Sequence, residues 1–176
     1  SNQINTHWQI VSLRYFNPIG AHDSGLIGEN ILRNPNNIFP LINNVALGKE
    51  RELSIYGNDW PTHDGTCVRD YIHIMDLAEG HSLALEYMLK YKEIKLTTLN
   101  IGTGNGTSVL ELINKFQEVN KIKVPYIYSE RRPGDAPIVV ANNEKAKKLL
   151  NWIPKRDLSS MCIDGWRWQK RYPNGY

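Results

Sequence analysis

The residues best equipped for chemistry lie in one stretch, Leu53 to His81, which reads LSIYGNDWPTHDGTCVRDYIHIMDLAEGH. Within it, Arg69 and Asp70 interrupt an apolar run just ahead of Tyr71 and Ile72. A guanidinium in that position can hold a phosphate through two parallel hydrogen bonds, which an ammonium cannot. The plainer alternative is a structural salt bridge between Arg69 and Asp70, and the residues alone leave both open. A second basic element, Glu130-Arg131-Arg132-Pro133-Gly134-Asp135, sets adjacent arginines in a Pro-Gly turn, where they could equally be surface decoration.

The elements that must position these groups follow from periodicity. Residues 1–9 are polar and read as a frayed end. Gln9 to Phe16 (QIVSLRYF) predicts a buried strand, ended at Asn17-Pro18 because Pro18 cannot continue a ladder. Ligands of open parallel sheets sit beyond the carboxyl ends of strands, so Tyr15, Phe16 and Asn17 are placed to face one. A core strand capped by an Asn turn is the alternative. His22 to Arg33 reads as a glycine-containing loop. A helix is expected from about Pro40 to Leu47, with Ile38, Leu41, Ile42 and Val45 on one face, Asn36-Asn37 as caps and Gly48 as its stop.

Leu53 and Ile55 then alternate with Ser54 and Tyr56 in a short strand that breaks at Gly57, before a turn-rich loop holding Asn58, Asp59, Pro61, Asp64 and Gly65. A helix begins near Asp76, with Leu77, Ala78, His81, Leu85 and Met88 on one stripe, where His81 reads as a core or boundary residue. Leu96 to Ile101 and Val124 to Tyr128 read as strands. Ser108 with Glu111 is a capping box for a helix burying Val109, Leu112, Ile113, Phe116 and Val119. Asn142–Leu150 and Asp157–Arg171 are helices joined by Trp152-Ile153-Pro154, with Trp152, Trp166 and Trp168 as packing anchors.

Composition narrows the classes. The 176 residues, 41% of them hydrophobic, suffice for one domain with a real core. A net charge of +3, with late lysines interspersed among apolar residues, suits a small anionic ligand and carries no recognised nucleic-acid motif. Cys67 and Cys162 offer neither a disulfide framework nor metal spacing, and reduced thiols in an intracellular protein are the default. The five histidines show no metal-binding pairing. No signal peptide and no membrane-spanning apolar run is found. Two motifs mislead. Tyr91 and Lys95 fit a Tyr-x-x-x-Lys spacing, but at the charged end of a helix. Gly102-Thr103-Gly104-Asn105-Gly106 looks like a dinucleotide loop, yet its last glycine comes one residue early, and a tight turn is the simpler account.

The run GTCVRDYIHIMDLAEGH preceded by YGNDWPT, with SLRYFNPIGAH, RRPGD and WRWQKRYPNGY in order around it, resembles the C-terminal half of the UDP-glucose (UDP-galactose) 4-epimerases, a family of extended short-chain dehydrogenases/reductases. The resemblance runs from about Ser12 to Tyr176. Related sugar-nucleotide dehydratases share the Arg-Asp element but usually lack the long NDWPTHDGT loop. The resemblance implies an α/β fold: a substrate-binding domain plus the last strands and helices of a Rossmann-like parallel sheet. Residues 1–176 would be the C-terminal substrate-binding portion, with 9–17 and 96–120 belonging to the incomplete sheet.

The resemblance further implies an isomerase of galactose metabolism that interconverts UDP-glucose and UDP-galactose through a 4-keto intermediate with bound NAD, cytoplasmic, and a homodimer when full length. Carried over by position, Asn17 bonds the diphosphate, Asn37 and the Ile38 backbone contact the ligand, and Ser54, Ile55 and Tyr56 receive the uracil. Arg69 and Arg132 hold phosphates and Asp135 takes ribose hydroxyls. Val139 stands where side-chain bulk limits sugar size, and would leave room for UDP-N-acetylhexosamines. Phe16 and Tyr15 would lie against the cofactor. The family's glycine loop and catalytic Tyr-x-x-x-Lys belong ahead of Gln9, so the resemblance implies no catalytic residue in this chain, NAD held mainly by the N-terminal half, and no activity for the chain alone. A stand-alone UDP-sugar-binding module is the alternative from another class. Part of a dehydratase or uronate epimerase is a third, against which the NDWPTHDGT loop argues.

Strands Gln9–Phe16 and Leu96–Ile101, without further sheet partners, should expose pairing edges and apolar faces. Sedimentation at rising concentration should therefore show self-association, whereas a monomer at high concentration with a sharp, high melting transition would contradict the expectation.

Overall fold

The computed structural model describes residues 8–30, 35–92 and 96–176. Along the chain run β1 (Ile10–Tyr15), β2 (Asn17–Ile19), α1 (Ile38–Ala46), β3 (Leu53–Tyr56), β4 (Val68–Arg69), β5 (Tyr71–His73) and α2 (Ile74–Lys90). They are followed by β6 (Leu96–Ile101), β7 (Thr107–Ser108), α3 (Val109–Asn120), β8 (Tyr126–Ser129), β9 (Ile138–Val139), α4 (Glu144–Leu150) and α5 (Leu158–Arg171). The frayed end expected at residues 1–9 lies mostly outside the described residues, as do the end of the His22–Arg33 loop and Lys95.

Helix starts moved where capping chemistry was hidden. Helix α1 starts at Ile38 with Asn37 at the cap position, yet the Asn37 side chain makes no capping hydrogen bond. Helix α2 starts at Ile74 rather than near Asp76, because His73 caps it: its Nδ1 accepts the Met75 N–H at 3.0 Å. The capping box of α3 is present as expected, with Ser108 accepting from the Glu111 N–H and Glu111 accepting from the Ser108 N–H. Strand β8 starts at Tyr126, since Val124 is drawn into the core with its N–H on Gln117 Oε1.

The strands form small sheets, mostly parallel. β1 pairs with β6 from Ile10↔Leu96 to Tyr15↔Ile101, β2 with β5, and β3 with β8. β4 lies between antiparallel β7 and parallel β9. The burial expected of β1 is not met. Ile10 and Tyr15 are half exposed, since among the described residues β1 has β6 as its one sheet partner.

Alternation along β5 divides the interior in two. Tyr71 joins α1, β3, α3 and α5 in one cluster around Phe39, Leu53, Phe116 and Trp166. Its neighbour Ile72 points the other way, into a cluster of α2, β6 and α4 around Leu77, Leu99, Ile101 and Trp152. Helix α3 therefore shares the core of β3 and packs against α5, and within 96–120 it is Leu96–Ile101 that pairs with β1.

One buried carboxylate fastens the walls of this seam together. Asp70 is fully buried. Its Oδ1 accepts the Thr103 N–H at 2.8 Å and the Thr103 hydroxyl at 2.6 Å, while its Oδ2 accepts from Gly104 N at 2.9 Å and Ala141 N at 3.1 Å. Its carbonyl accepts the Asn17 N–H at 2.9 Å. The residue thus binds the start of β2, the glycine turn after β6 and the segment after β9. In Asp70→Asn an amide N–H would face these donors, and urea unfolding should show a loss of at least about 2 kcal/mol. Unchanged stability would contradict the assignment.

His73 is a second buried tie, with Nε2 3.3 Å from Asp164 Oδ2. Burial pushes its imidazole below the ordinary 6.5, and the Asp164 hydrogen bond opposes only part of that. The unfolded chain takes the proton first, so this contribution is complete above the unfolded pKa of about 6.5 and is lost as pH falls through it toward the folded value. Unfolding free energy should drop between about pH 7.5 and about pH 5.5, and the drop should shrink in His73→Gln. An equal drop in both proteins would contradict it.

Candidate functional site

The cleft that gathers the sequence-derived residues lies where β3, β4 and the start of α1 meet the turn after β8. It is a slot of about 110 Å³ lined by Asn17, Asn37, Ile38, Ser54, Ile55, Tyr56, Arg69, Arg132 and Asp135. Asn36, Cys67, Tyr71 and Val109 complete the wall. Each element contributes for a local reason. Asn17 is held by the Asp70 carbonyl, and Asn37 and Ile38 stand at the uncapped start of α1. In β3, Leu53 and Ile55 are buried, which fixes the strand so that Ser54 and the half-exposed Tyr56 edge the slot.

Arg69 and Asp70 do not pair with each other. Successive residues of an extended chain point to opposite sides, so Asp70 turns inward to the amides while Arg69 turns to the slot. Arg69 Nη1 donates to the carbonyls of Val68 at 2.9 Å and Ala136 at 2.8 Å. Its Nη2 lies 3.8 Å from Asp135 Oδ1. Asp135 Oδ2 in turn accepts from Arg132 Nε at 3.2 Å. The Arg132 guanidinium rests over the Tyr56 ring, 4.6 Å from its centroid. Two guanidinium groups, one carboxylate and one aromatic face thus share a slot with the Asn17 amide. That set can clamp a polyanion while an aromatic ring covers a flat base or its sugar.

The neighbouring arginine is not part of this set. Arg131 turns the other way, its Nε 2.7 Å from Asp59 Oδ1. Tyr15, Phe16 and Val139 also stand outside the slot lining. Tyr15 bonds His81 instead, hydroxyl to Nε2 at 2.6 Å. His81 is exposed rather than a core residue, with Nδ1 on the Leu77 carbonyl at 2.9 Å. Val139 is level with Arg69 across the β4–β9 pair and 38% exposed. Of the wall residues that sequence reasoning missed, Cys67 and Tyr71 had a signal: 67, 69 and 71 alternate along one extended run, so the side that carries Arg69 carries them too. Burial pushes the Cys67 thiol up, which keeps it protonated and inert.

A larger cavity of about 580 Å³ adjoins the slot, lined by residues such as Pro18, Ile19, Ala21, Ile27, Ile74 and Met75. Among the described residues its lining carries no Lys or Arg, so volume and chemistry disagree. The charged slot has the groups that recognise an anion, and we take it as the site.

The glycine turn does not fit a dinucleotide. A Cβ at Gly102 would lie 2.7 Å from Asp70 Oδ2 and 2.6 Å from the Ala141 Cβ, so the space that glycine opens is filled from within the chain. The N–H groups of Thr103 and Gly104, which would have to face a diphosphate, both serve Asp70. This turn is structural and cradles no cofactor phosphate. Among the described residues no helix is long and apolar enough to cross a membrane.

Comparison with known proteins bears on the family and the fold. A family model described as GDP-mannose 4,6 dehydratase matches residues 3–164. A UDP-glucose 4-epimerase of Bacillus subtilis (strain 168) is 52% identical over 169 residues, 96% of this chain and 49% of that protein. The crystal structure of a UDP-glucose 4-epimerase from Stenotrophomonas maltophila with bound NAD and formylated UDP-arabinopyranose superposes with a TM-score of 0.92 at 45% identity, covering 96% of this chain and 49% of that one. The Bifidobacterium longum enzyme in complex with NAD+ and UDP gives 0.91 at 41% identity, with 98% and 50% covered. The chain spans about half the length of the curated relatives it matches. With its fold and its motifs thus matched along nearly the whole sequence, the chain belongs to the GDP-mannose 4,6 dehydratase family and is similar, within it, to UDP-glucose 4-epimerases.

Proposed function

We propose that this chain is the UDP-sugar-binding, C-terminal part of a UDP-glucose 4-epimerase. The observation that carries the reading is the convergence of Arg69 and Arg132 with Asn17, Tyr56 and Asp135 in one slot. In this reading Arg69, Arg132 and Asn17 hold the diphosphate, and Ser54, Ile55 and Tyr56 take the uracil. Asp135 accepts from the ribose hydroxyls, and Asn37 and Ile38 close the near wall. The slot is smaller than cavities that enclose a whole ligand, commonly about 300–1,000 Å³. It would grip the nucleotide end and leave the sugar toward Val139 and the rest of the enzyme.

The whole enzyme would interconvert UDP-glucose and UDP-galactose, in galactose metabolism, with NAD. This chain brings no dinucleotide cradle among its described residues, so the cofactor would be held elsewhere in the enzyme, with Tyr15 and Phe16 at the carboxyl end of β1 as this chain's contacts. The chain alone would bind without turnover. Segments 9–17 and 96–120 would complete a Rossmann-like sheet in the whole protein, which would be a homodimer. The buried, unpaired Cys67 and Cys162 suit the reducing cytoplasm. A stand-alone UDP-sugar-binding module is the second reading, favoured by the same slot if the chain acts by itself.

Calorimetric titration with UDP-glucose, and with UDP as control, tests both readings. Binding of both in roughly the micromolar range, weakened about a hundredfold or more by Arg69→Ala, is the expected outcome. No heat with either ligand would mean that the slot is not a nucleotide site in this chain. In the same assay UDP-N-acetylglucosamine should bind the wild type, and Val139→Tyr should lose it while keeping UDP-glucose. A wild type that takes UDP-glucose but not its N-acetylated analogue would overturn the role given to Val139.

A further inference from the structure

The nucleotide reading so far makes no use of the loop that follows β3. In the fold it closes on Arg131. Asp59 accepts from Arg131 twice, through Oδ1 from Nε at 2.7 Å and through its carbonyl from Nη2 at 2.6 Å. The guanidinium carbon lies 4.0 Å from the centroid of the Trp60 ring, a face-on cation–π contact. The Trp60 indole N–H donates to the Tyr56 carbonyl at 3.1 Å. Gly57, at φ +84°, makes the room: a Cβ there would lie 2.3 Å from the indole nitrogen and 2.9 Å from Arg131 Cγ. Both the forked donors and the flat face of Arg131 are therefore engaged outside the slot. Arg132 turns the opposite way, over Tyr56 and onto Asp135.

We propose that Asp59 and Trp60 are positioning residues that clamp Arg131, and so hold Arg132 and Tyr56 at a fixed spacing across the slot. The clamp reaches both sides of the site at once. It fixes the backbone that presents Arg132, and through the indole N–H it fixes the carbonyl of Tyr56. The two adjacent arginines thereby have separate tasks, one as a strut and one facing the ligand. The inference rests on the reading of the slot as a uridine diphosphate site, in which neither Asp59 nor Trp60 touches the ligand.

An exposed ion pair without this role would be worth little to stability or to binding, which makes the clamp testable. UDP is titrated into the wild type, Asp59→Ala, Arg131→Ala and the double variant, with the thermal midpoint and the hydrogen exchange of the Trp60 indole proton followed alongside. Each single variant should bind UDP about tenfold more weakly. The double variant should lose no more than either, because both act through one contact. Thermal midpoints should stay put while the indole proton loses protection. Arg131→Lys keeps the charge but not the fork, and should recover only part of the affinity. Variants that bind UDP as the wild type does would overturn the clamp alone. A wild type that binds no UDP would overturn the uridine reading and the clamp's ligand role with it.

Discussion

A carboxylate buried without a cation beside it must be satisfied by hydrogen-bond donors, and in this chain that requirement falls on Asp70. It takes its donors from the glycine turn after β6 and from Ala141 after β9, while its carbonyl holds Asn17. Segments far apart in sequence are thereby gathered at the carboxyl ends of parallel strands. The same demand explains why the residue at 102 is glycine, since a side chain there would enter the space of the carboxylate. It also explains why Arg69 is available. With Asp70 committed to amides, the adjacent guanidinium is anchored by two carbonyls and keeps its remaining donors for the slot.

The slot itself has a division of labour that electrostatics alone would not give. Arg69, Arg131 and Arg132 could compete for the same carboxylate, yet they divide between two. Asp135 sits between Arg69 and Arg132, and Asp59 draws Arg131 away. The Arg131 guanidinium holds the Asp59 carboxyl below the usual range, so the pair is ionised at neutral pH. A single carboxylate shared between two guanidinium groups leaves the slot with a positive balance. That balance suits a ligand carrying two phosphates.

Much of this was legible beforehand, and the exceptions have physical causes. Strands β1, β3, β6 and β8, the helices and the capping box of α3 follow from periods and caps that the sequence shows openly. Strand β2 instead runs through Pro18, where a strand end is expected, because the Pro18 ring needs no ladder donor beside Ile72. His73 as the cap of α2 was hidden, because imidazole is not a customary cap and the apolar residues around it read as strand. The partner of Asp70 was hidden too, since its donors are backbone groups and lie far away in sequence. Alternation could have decided against an Arg69–Asp70 pair, because neighbours in an extended run face opposite ways. The slot residues carried over by resemblance converge in space apart from Val139, Tyr15 and Phe16, which the lining does not include. The opposite orientations of Arg131 and Arg132 could not be read from an Arg-Arg pair, for they depend on a loop more than sixty residues earlier.

The most direct test of this account is to follow the backbone amide signals of the chain as UDP is added. The account predicts saturable shifts at Asn17, Ser54–Tyr56, Arg69 and Asp135, with the Arg132 Nε–H signal moving at the same concentrations. Shifts gathered instead around Pro18, Ile27 and Met75 in the apolar cavity, or no saturable shift at all, would contradict it.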